Sequence, residues 1–145
     1  MGRLWVTVGP PASGKSLWAV GSGKPVVSLD EVRSGSDPHK VFLSARRRVR
    51  KLLADGDVVV DACSLQAATR AGWLNLADGQ ATAVLFDVPA AECVRRNSER
   101  GSSAVPDAQM ERLCALTPGA FAAVFREPWS DVVVRGWEPV VSREW

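Results

Sequence analysis

The chain has 145 residues, of which 46% are hydrophobic and 23% charged, and a formal net charge of +2. That length supports one domain with its own core, and the small net charge neither requires nor excludes a nucleic-acid partner. Three dispersed cysteines, Cys63, Cys93 and Cys114, and a single histidine, His39, argue against a disulfide framework, a zinc ribbon or a His-rich metal centre.

Taken in chain order, Leu4 to Val8 reads as a short buried strand, followed by a Gly- and Pro-rich loop from Gly9 to Gly14. A helix is expected from Lys15 to about Val20, broken at Gly21–Pro25. A second apolar run, Val26 to Leu29, ends at Asp30. Ser36-Asp37-Pro38 has the form of a helix start, with Pro in the first turn, and a basic helix should run to about Ala54. Asp55-Gly56-Asp57 reads as a turn before a third strand, Val58 to Val60, which ends at Asp61. A helix from Gln66 to Leu76, a strand from Thr82 to Val88 and a helix opened by Pro89 and reaching about Arg100 follow. Gly101-Ser102-Ser103 breaks that helix, Pro106 starts another to about Leu116, and Val132 to Val134 is a last strand. Short apolar strands alternating with helices predict an α/β fold: a parallel sheet of about five strands with helices on both faces. With no repeat, linker or low-complexity tract, residues 1–145 read as a single domain. The first residues lead straight into a strand without signal-peptide architecture, and no apolar run approaches membrane-spanning length, so no membrane partner and a reducing, cytoplasmic setting are expected.

Gly9-Pro10-Pro11-Ala12-Ser13-Gly14-Lys15-Ser16 satisfies G-x-x-x-x-G-K-[ST] between a strand and a helix. Glycines let the backbone wrap closely and turn its N–H groups toward phosphate oxygens, and the helix that follows adds the positive end of its dipole. This assigns Gly9, Ala12, Ser13, Gly14, Lys15 and Ser16 to nucleotide binding, with Lys15 on the β- and γ-phosphates and Ser16 a ligand of Mg²⁺. The expected cofactors are therefore ATP, or another nucleoside triphosphate, and Mg²⁺. Gly21-Ser22-Gly23-Lys24 lacks the upstream glycine and strand and reads as a turn. Asp55-Gly56-Asp57 matches a phosphatase-type D-x-D, but follows a helix rather than a strand and also reads as a turn.

Ligands of open parallel sheets sit beyond the carboxyl ends of the strands, where Asp30 and Asp61 both fall. Each could accept a proton or hold Mg²⁺; each could equally cap the element that follows. Arg33, one helical turn after Asp30, could bind an anion beside it or form a local ion pair. Arg96 and Arg100, spaced i, i+4 before Gly101, suit a clamp on the triphosphate carried by a lid, or simply cations at a helix C-terminus. The run Arg46-Arg47-Arg48-Val49-Arg50-Lys51 is either a nucleic-acid track or a solvated helix face. The six tryptophans are scattered and read as packing residues.

Several of these stretches together resemble the 5′-kinase domain of phage T4-type polynucleotide kinase. They are the phosphate loop, Ser28-Leu29-Asp30-Glu31-Val32-Arg33, Val58-Val59-Val60-Asp61, and Phe86-Asp87-Val88-Pro89 continued through Val94-Arg95-Arg96-Asn97-Ser98-Glu99-Arg100-Gly101 to Ala104-Val105-Pro106. The resemblance covers roughly residues 4–116. It implies a P-loop kinase fold with a lid around 95–106, and a 5′-hydroxyl nucleic-acid end as acceptor. Asp30 would be the general base, Arg33 would grip the phosphate on the acceptor's 3′ side, and Arg100 with Arg96 would hold the donor phosphates. Asp61 would support the site, and Val105 would pack against the acceptor base. The segment between Asp30 and Asp61 is short for that family, and no 3′-phosphatase activity is expected from a chain of this length. The alternatives are a P-loop kinase acting on a hydroxylated DNA base or a small metabolite, and a nucleotide-binding switch without transferase activity. The sequence points to no particular oligomeric state.

Overall fold

The computed structural model describes residues 1–29 and 37–137. Five strands, β1 (Leu4–Val8), β2 (Val26–Ser28), β3 (Val58–Asp61), β4 (Ala81–Asp87) and β5 (Asp131–Gly136), pair in the order β2-β3-β1-β4-β5. Every pairing is parallel. The helices are α1 (Lys15–Gly21), α2 (Pro38–Leu53), α3 (Ala67–Ala77), α4 (Ala90–Ser98) and α5 (Asp107–Val124).

Side chains alternate across a strand, and here both faces are covered. Leu4, Val6 and Val8 of β1, Val58 and Val60 of β3 and Ala81, Ala83 and Leu85 of β4 join one core with Val49 and Leu53 of α2, Trp73 and Ala77 of α3 and Leu113, Ala120 and Val124 of α5. On the opposite face Trp18 of α1 meets Trp5 and Phe86, with ring centroids 6.5 and 5.9 Å apart. This two-sided burial is why the central strands read as continuous apolar runs.

Most boundaries fall within a residue or two of the expected ones. Asp37 caps α2 by accepting the backbone N–H of His39 at 3.0 Å, with Pro38 in the first turn. Gly21–Lys24 is a turn whose lysine lies over the Trp5 ring, and Asp57 accepts the N–H of Arg3 at 2.8 Å in the turn before β3. Three expectations are corrected. α5 does not stop near Leu116 but continues through Pro118 to Val124. Proline in a helix interior removes a hydrogen bond and costs about 3 kcal/mol. Against that, Met110, Leu113, Thr117, Ala120 and Val124 make one buried stripe at helical spacing, so burial outweighs the break. α4 ends at Ser98, so Arg100 lies in the turn just beyond it, where it lines the same cavity as Arg96. β5 is longer than its valines alone suggest, because its backbone pairs with β4 from Thr82 to Asp87.

Candidate functional site

The carboxyl ends of β1, β2 and β3 converge on the loop that follows β1. Gly9 approaches so closely that a Cβ there would stand 3.0 Å from the Ser13 hydroxyl and 3.1 Å from the Phe86 Cβ. Gly14 takes a φ of 96°, which only glycine adopts without strain. Ala12 also lies in the left-handed region, at φ 64°, a conformation that costs an L-residue about 1–2 kcal/mol. The Arg96 Nη1 donates to the Ala12 carbonyl at 3.2 Å, so the strained residue is held from α4.

Lys15 is buried, and its Nζ donates to the Pro10 carbonyl at 2.6 Å. An ammonium has three donors, so two remain for phosphate oxygens. The Ser13 hydroxyl is buried with no hydrogen-bond partner among the described residues, an orphan polar atom in the loop that a phosphate oxygen would satisfy. Ser16 Oγ donates to Asp61 Oδ2 at 2.7 Å, and Ser28 Oγ donates to the same oxygen at 3.1 Å. One carboxylate thus ties the end of β2 and the end of β3 to the first turn of α1.

These hard oxygen donors fit Mg²⁺, which keeps several waters and takes one or two protein ligands beside phosphate oxygens. Ser16 would be the direct ligand, with Asp61 beside it. Among the described residues no cluster of three or more His, Cys, Asp or Glu forms a separate metal site. A cavity of about 700 Å³ opens over the loop, lined among others by Lys15, Ser16, Asp61, Arg96, Arg100 and Val105.

Glu92 anchors two arginines of α4. It accepts both Arg95, at 2.6 and 2.9 Å, and Arg96 Nε, at 3.0 Å. The hydrogen bonds from Arg95 above all, with those from Arg96, lower the Glu92 pKa to about 2, so it is charged throughout the neutral range. Arg96 is thereby aimed at the phosphate loop, while Arg100 is exposed at the cavity rim. Val105 is buried against Cys93 and Met110 and lines this same cavity. Burial, with Cys114 nearby, pushes the Cys93 thiol up to about 11, so it is a packing residue and not a nucleophile. Asp30 and Arg33 lie outside the described residues. The residue before them, Leu29, is held by its N–H on the Asp61 carbonyl at 2.9 Å.

Three sets of residues in the site's framework escaped the sequence reading. Buried Thr7 uses its hydroxyl to accept the Ala62 N–H at 2.9 Å and to donate to the Ala62 carbonyl at 2.7 Å, which fixes the chain just past Asp61. Asn97 pairs with the backbone of Val105 in both directions, at 2.8 and 2.9 Å, and ties the end of α4 to the segment before α5. Arg70 donates to the Ser64 carbonyl at 3.1 Å and to Glu127 at 2.9 to 3.2 Å, bracing the turn after β3 where Ser64 has φ 50°. A threonine inside a strand, an asparagine inside a helix and an arginine in an apolar helix are the only traces these leave in sequence.

Among solved structures the chain resembles Kti12 of Chaetomium thermophilum in complex with ADP-AlF3, at TM-score 0.67 and 16% identity, over 94% of this chain and 90% of that one. It also resembles a chain of the Pnkp1/Rnl/Hen1 RNA repair complex, at TM-score 0.68 and 20% identity. There it covers 84% of itself but only 46% of the other chain. A sugar kinase from Janibacter matches at TM-score 0.66 and 17% identity, over 94% and 86% of the two chains. At these identities the likeness establishes the fold, a five-stranded parallel P-loop architecture. The AAA domain model matches residues 4–117, most of the chain. With that match and a phosphate loop at the carboxyl end of β1, the chain belongs to the AAA domain family, a family of P-loop NTPases and kinases.

Proposed function

We propose that this chain is an ATP-dependent polynucleotide 5′-hydroxyl kinase, acting on nucleic-acid ends during repair. The observation that carries the reading is a second cavity that adjoins the phosphate cavity and shares a wall with it. It has a volume of about 380 Å³ and is walled by Leu29, Phe42, Leu65, Leu113 and Leu116 with Gln109 and Arg112 among its polar groups. Leu29, Ala62 and Cys63 line both. The leucine and phenylalanine side chains offer a flat nucleobase apolar surface to pack on, and Ser64, Gln66, Thr69, Gln109 and Arg112 offer hydrogen-bond partners to its edge. Leu29, on the shared wall, runs directly into Asp30-x-x-Arg33.

In this reading Lys15, Arg96 and Arg100 bind the donor phosphates and stabilise the transferring phosphoryl group. Mg²⁺, when bound, neutralises charge on the β- and γ-oxygens. Asp30 takes the proton of the 5′-hydroxyl as its oxygen attacks the γ-phosphorus and the bond to the β-bridging oxygen breaks. Arg33 holds the phosphate 3′ to the attacked nucleoside. The likeness to the RNA repair complex chain supports the acceptor class.

The test is transfer of labelled γ-phosphate from ATP to a panel of 5′-hydroxyl DNA and RNA oligonucleotides, nucleosides and sugars, with Lys15→Ala as the control. Transfer to oligonucleotide ends is expected, and Lys15→Ala should lower it by about 100-fold or more. Preferential labelling of a sugar or free nucleoside would overturn the polynucleotide assignment.

A further inference from the structure

The outward face of α2 carries more positive charge than its fold requires. The helix contains Lys40, Arg46, Arg47, Arg48, Arg50 and Lys51 and no Asp or Glu, and neither does the neighbouring α3. At 100° per residue Lys40, Arg47 and Lys51 fall on one line, flanked by Arg48 and Arg50, opposite the buried Val49 and Leu53. All five are exposed. Among the described residues, none of the six makes an ion pair with a carboxylate. Like charges at i, i+4, such as Arg46 with Arg50 and Arg47 with Lys51, destabilise a helix. Favourable placement at the C-terminus accounts for Arg50 and Lys51, but not for the other four.

Arg46 lies off this line and packs inward. Its stem lies against α3 at Gly72, and its buried Nε–H has no hydrogen-bond partner among the described residues. This cation is held in place by packing with a donor unmet. The geometry of the helix then matters. Its first turn, through Pro38, Val41 and Phe42, lines the second cavity beside the phosphate site. On the other side of the helix, the charged line spans Lys40 to Lys51, about 16 Å at the helical rise, with its charge concentrated at Arg47–Lys51.

We propose that this face of α2 is a docking track for the phosphate backbone of the acceptor strand. The inference rests on the polynucleotide-kinase reading and names the surface that would make a longer acceptor better than a short one. Arginines suit it, since a guanidinium binds phosphate with paired N–H donors. An anionic membrane is the weaker occupant, because Leu43 is the one large apolar side chain exposed on this helix among the described residues and nothing there would insert between lipids.

The experiment replaces Arg47, Arg48, Arg50 and Lys51 together by Gln, a comparable helix former, in the full chain. Fluorescence anisotropy then measures binding of a 5′-hydroxyl single-stranded 20-mer over a range of KCl concentrations, and kinetics compare that 20-mer with a dinucleotide. The variant should bind at least about 10-fold more weakly. Its slope of log K against log salt should be shallower by about 2 to 3, since each lost phosphate contact on a single strand removes about 0.7. Its loss of kcat/KM should be larger on the 20-mer than on the dinucleotide. An unchanged slope and affinity, or equal losses on both acceptors, would overturn the track. So would binding to phosphatidylserine vesicles that depends on these residues while the oligonucleotide does not bind. If the wild type binds the 20-mer through α2 but phosphorylates no nucleic acid, the kinase reading fails and the track stands. If it phosphorylates the 20-mer and the variant is indistinguishable, the track alone fails.

Discussion

Asp61 is the residue on which the site turns. Its Oδ2 accepts both Ser16 and Ser28, and its carbonyl accepts the N–H of Leu29. It therefore sets the distance between the donor loop and the segment that carries Asp30 and Arg33. Their proposed roles separate kinetically. Asp30→Asn should cut turnover while sparing ATP binding, because the amide can hydrogen-bond the hydroxyl but cannot take its proton. Arg33→Ala should raise the acceptor KM. An arginine–phosphate contact worth about 1.5–3 kcal/mol corresponds to a loss of roughly 10- to 150-fold in kcat/KM. That loss should appear with a 3′-phosphorylated nucleoside as acceptor and shrink with the plain nucleoside. Equal losses on both would remove the phosphate contact and leave Arg33 a structural residue.

At the scale of elements, the segment proposed as a lid is a short loop with a fixed base. Asn97 and Val105 are joined by two hydrogen bonds, and Val105 packs on Cys93 and Met110 where α4 meets α5. In the proposed lid, these anchors would leave about residues 98–104 free to close over nucleotide. Asn97→Ala would leave a buried N–H and a buried carbonyl of Val105 unpaired. Unfolding by urea should show a loss of about 2–4 kcal/mol, and the KM for ATP should rise as Arg96 and Arg100 lose their support. Protease cleavage near Ser102 should slow in wild type when ATP and Mg²⁺ are added, and slow less in the variant. A variant with wild-type stability would show that the pair of hydrogen bonds does not close the lid.

For the whole molecule, the buried Arg70–Glu127 pair links the turn after β3 to the segment between α5 and β5, with Trp129 Nε1 also donating to Glu127 at 3.1 Å. Burial pushes the Glu127 pKa up, but the Arg70 and Trp129 hydrogen bonds and the Arg70 charge outweigh it, and the net shift is downward. A carboxyl with a depressed folded pKa contributes stability above its unfolded value, near 4.5, and loses it as pH falls through the lower folded value. Glu127→Gln should therefore lower Tm at pH 7 and flatten its fall below pH 4.5, so that the two proteins converge in acid. Parallel Tm curves from pH 7 to pH 2.5 would exclude this pair as a source of acid sensitivity.

Local signals determined much of this protein by themselves. The phosphate loop, the Asp37-Pro38 start of α2 and the apolar runs of β1, β3 and β4 each follow from residues within a few positions of one another, because caps, turns and strand patterning are short-range. Three kinds of feature were decided only by the tertiary structure. The passage of α5 through Pro118 depends on a buried stripe whose partners lie in distant strands, so a local breaker was overruled by long-range burial. The joining of Ser28 to Asp61, 33 residues apart, and of Arg70 to Glu127, 57 apart, required the sheet order to exist first. The basic run of α2 was legible in sequence, but the adjoining cavities belong to no segment of sequence. They arise where α2, α5 and the ends of β2 and β3 come together, because parallel strands leave their carboxyl ends on a common edge.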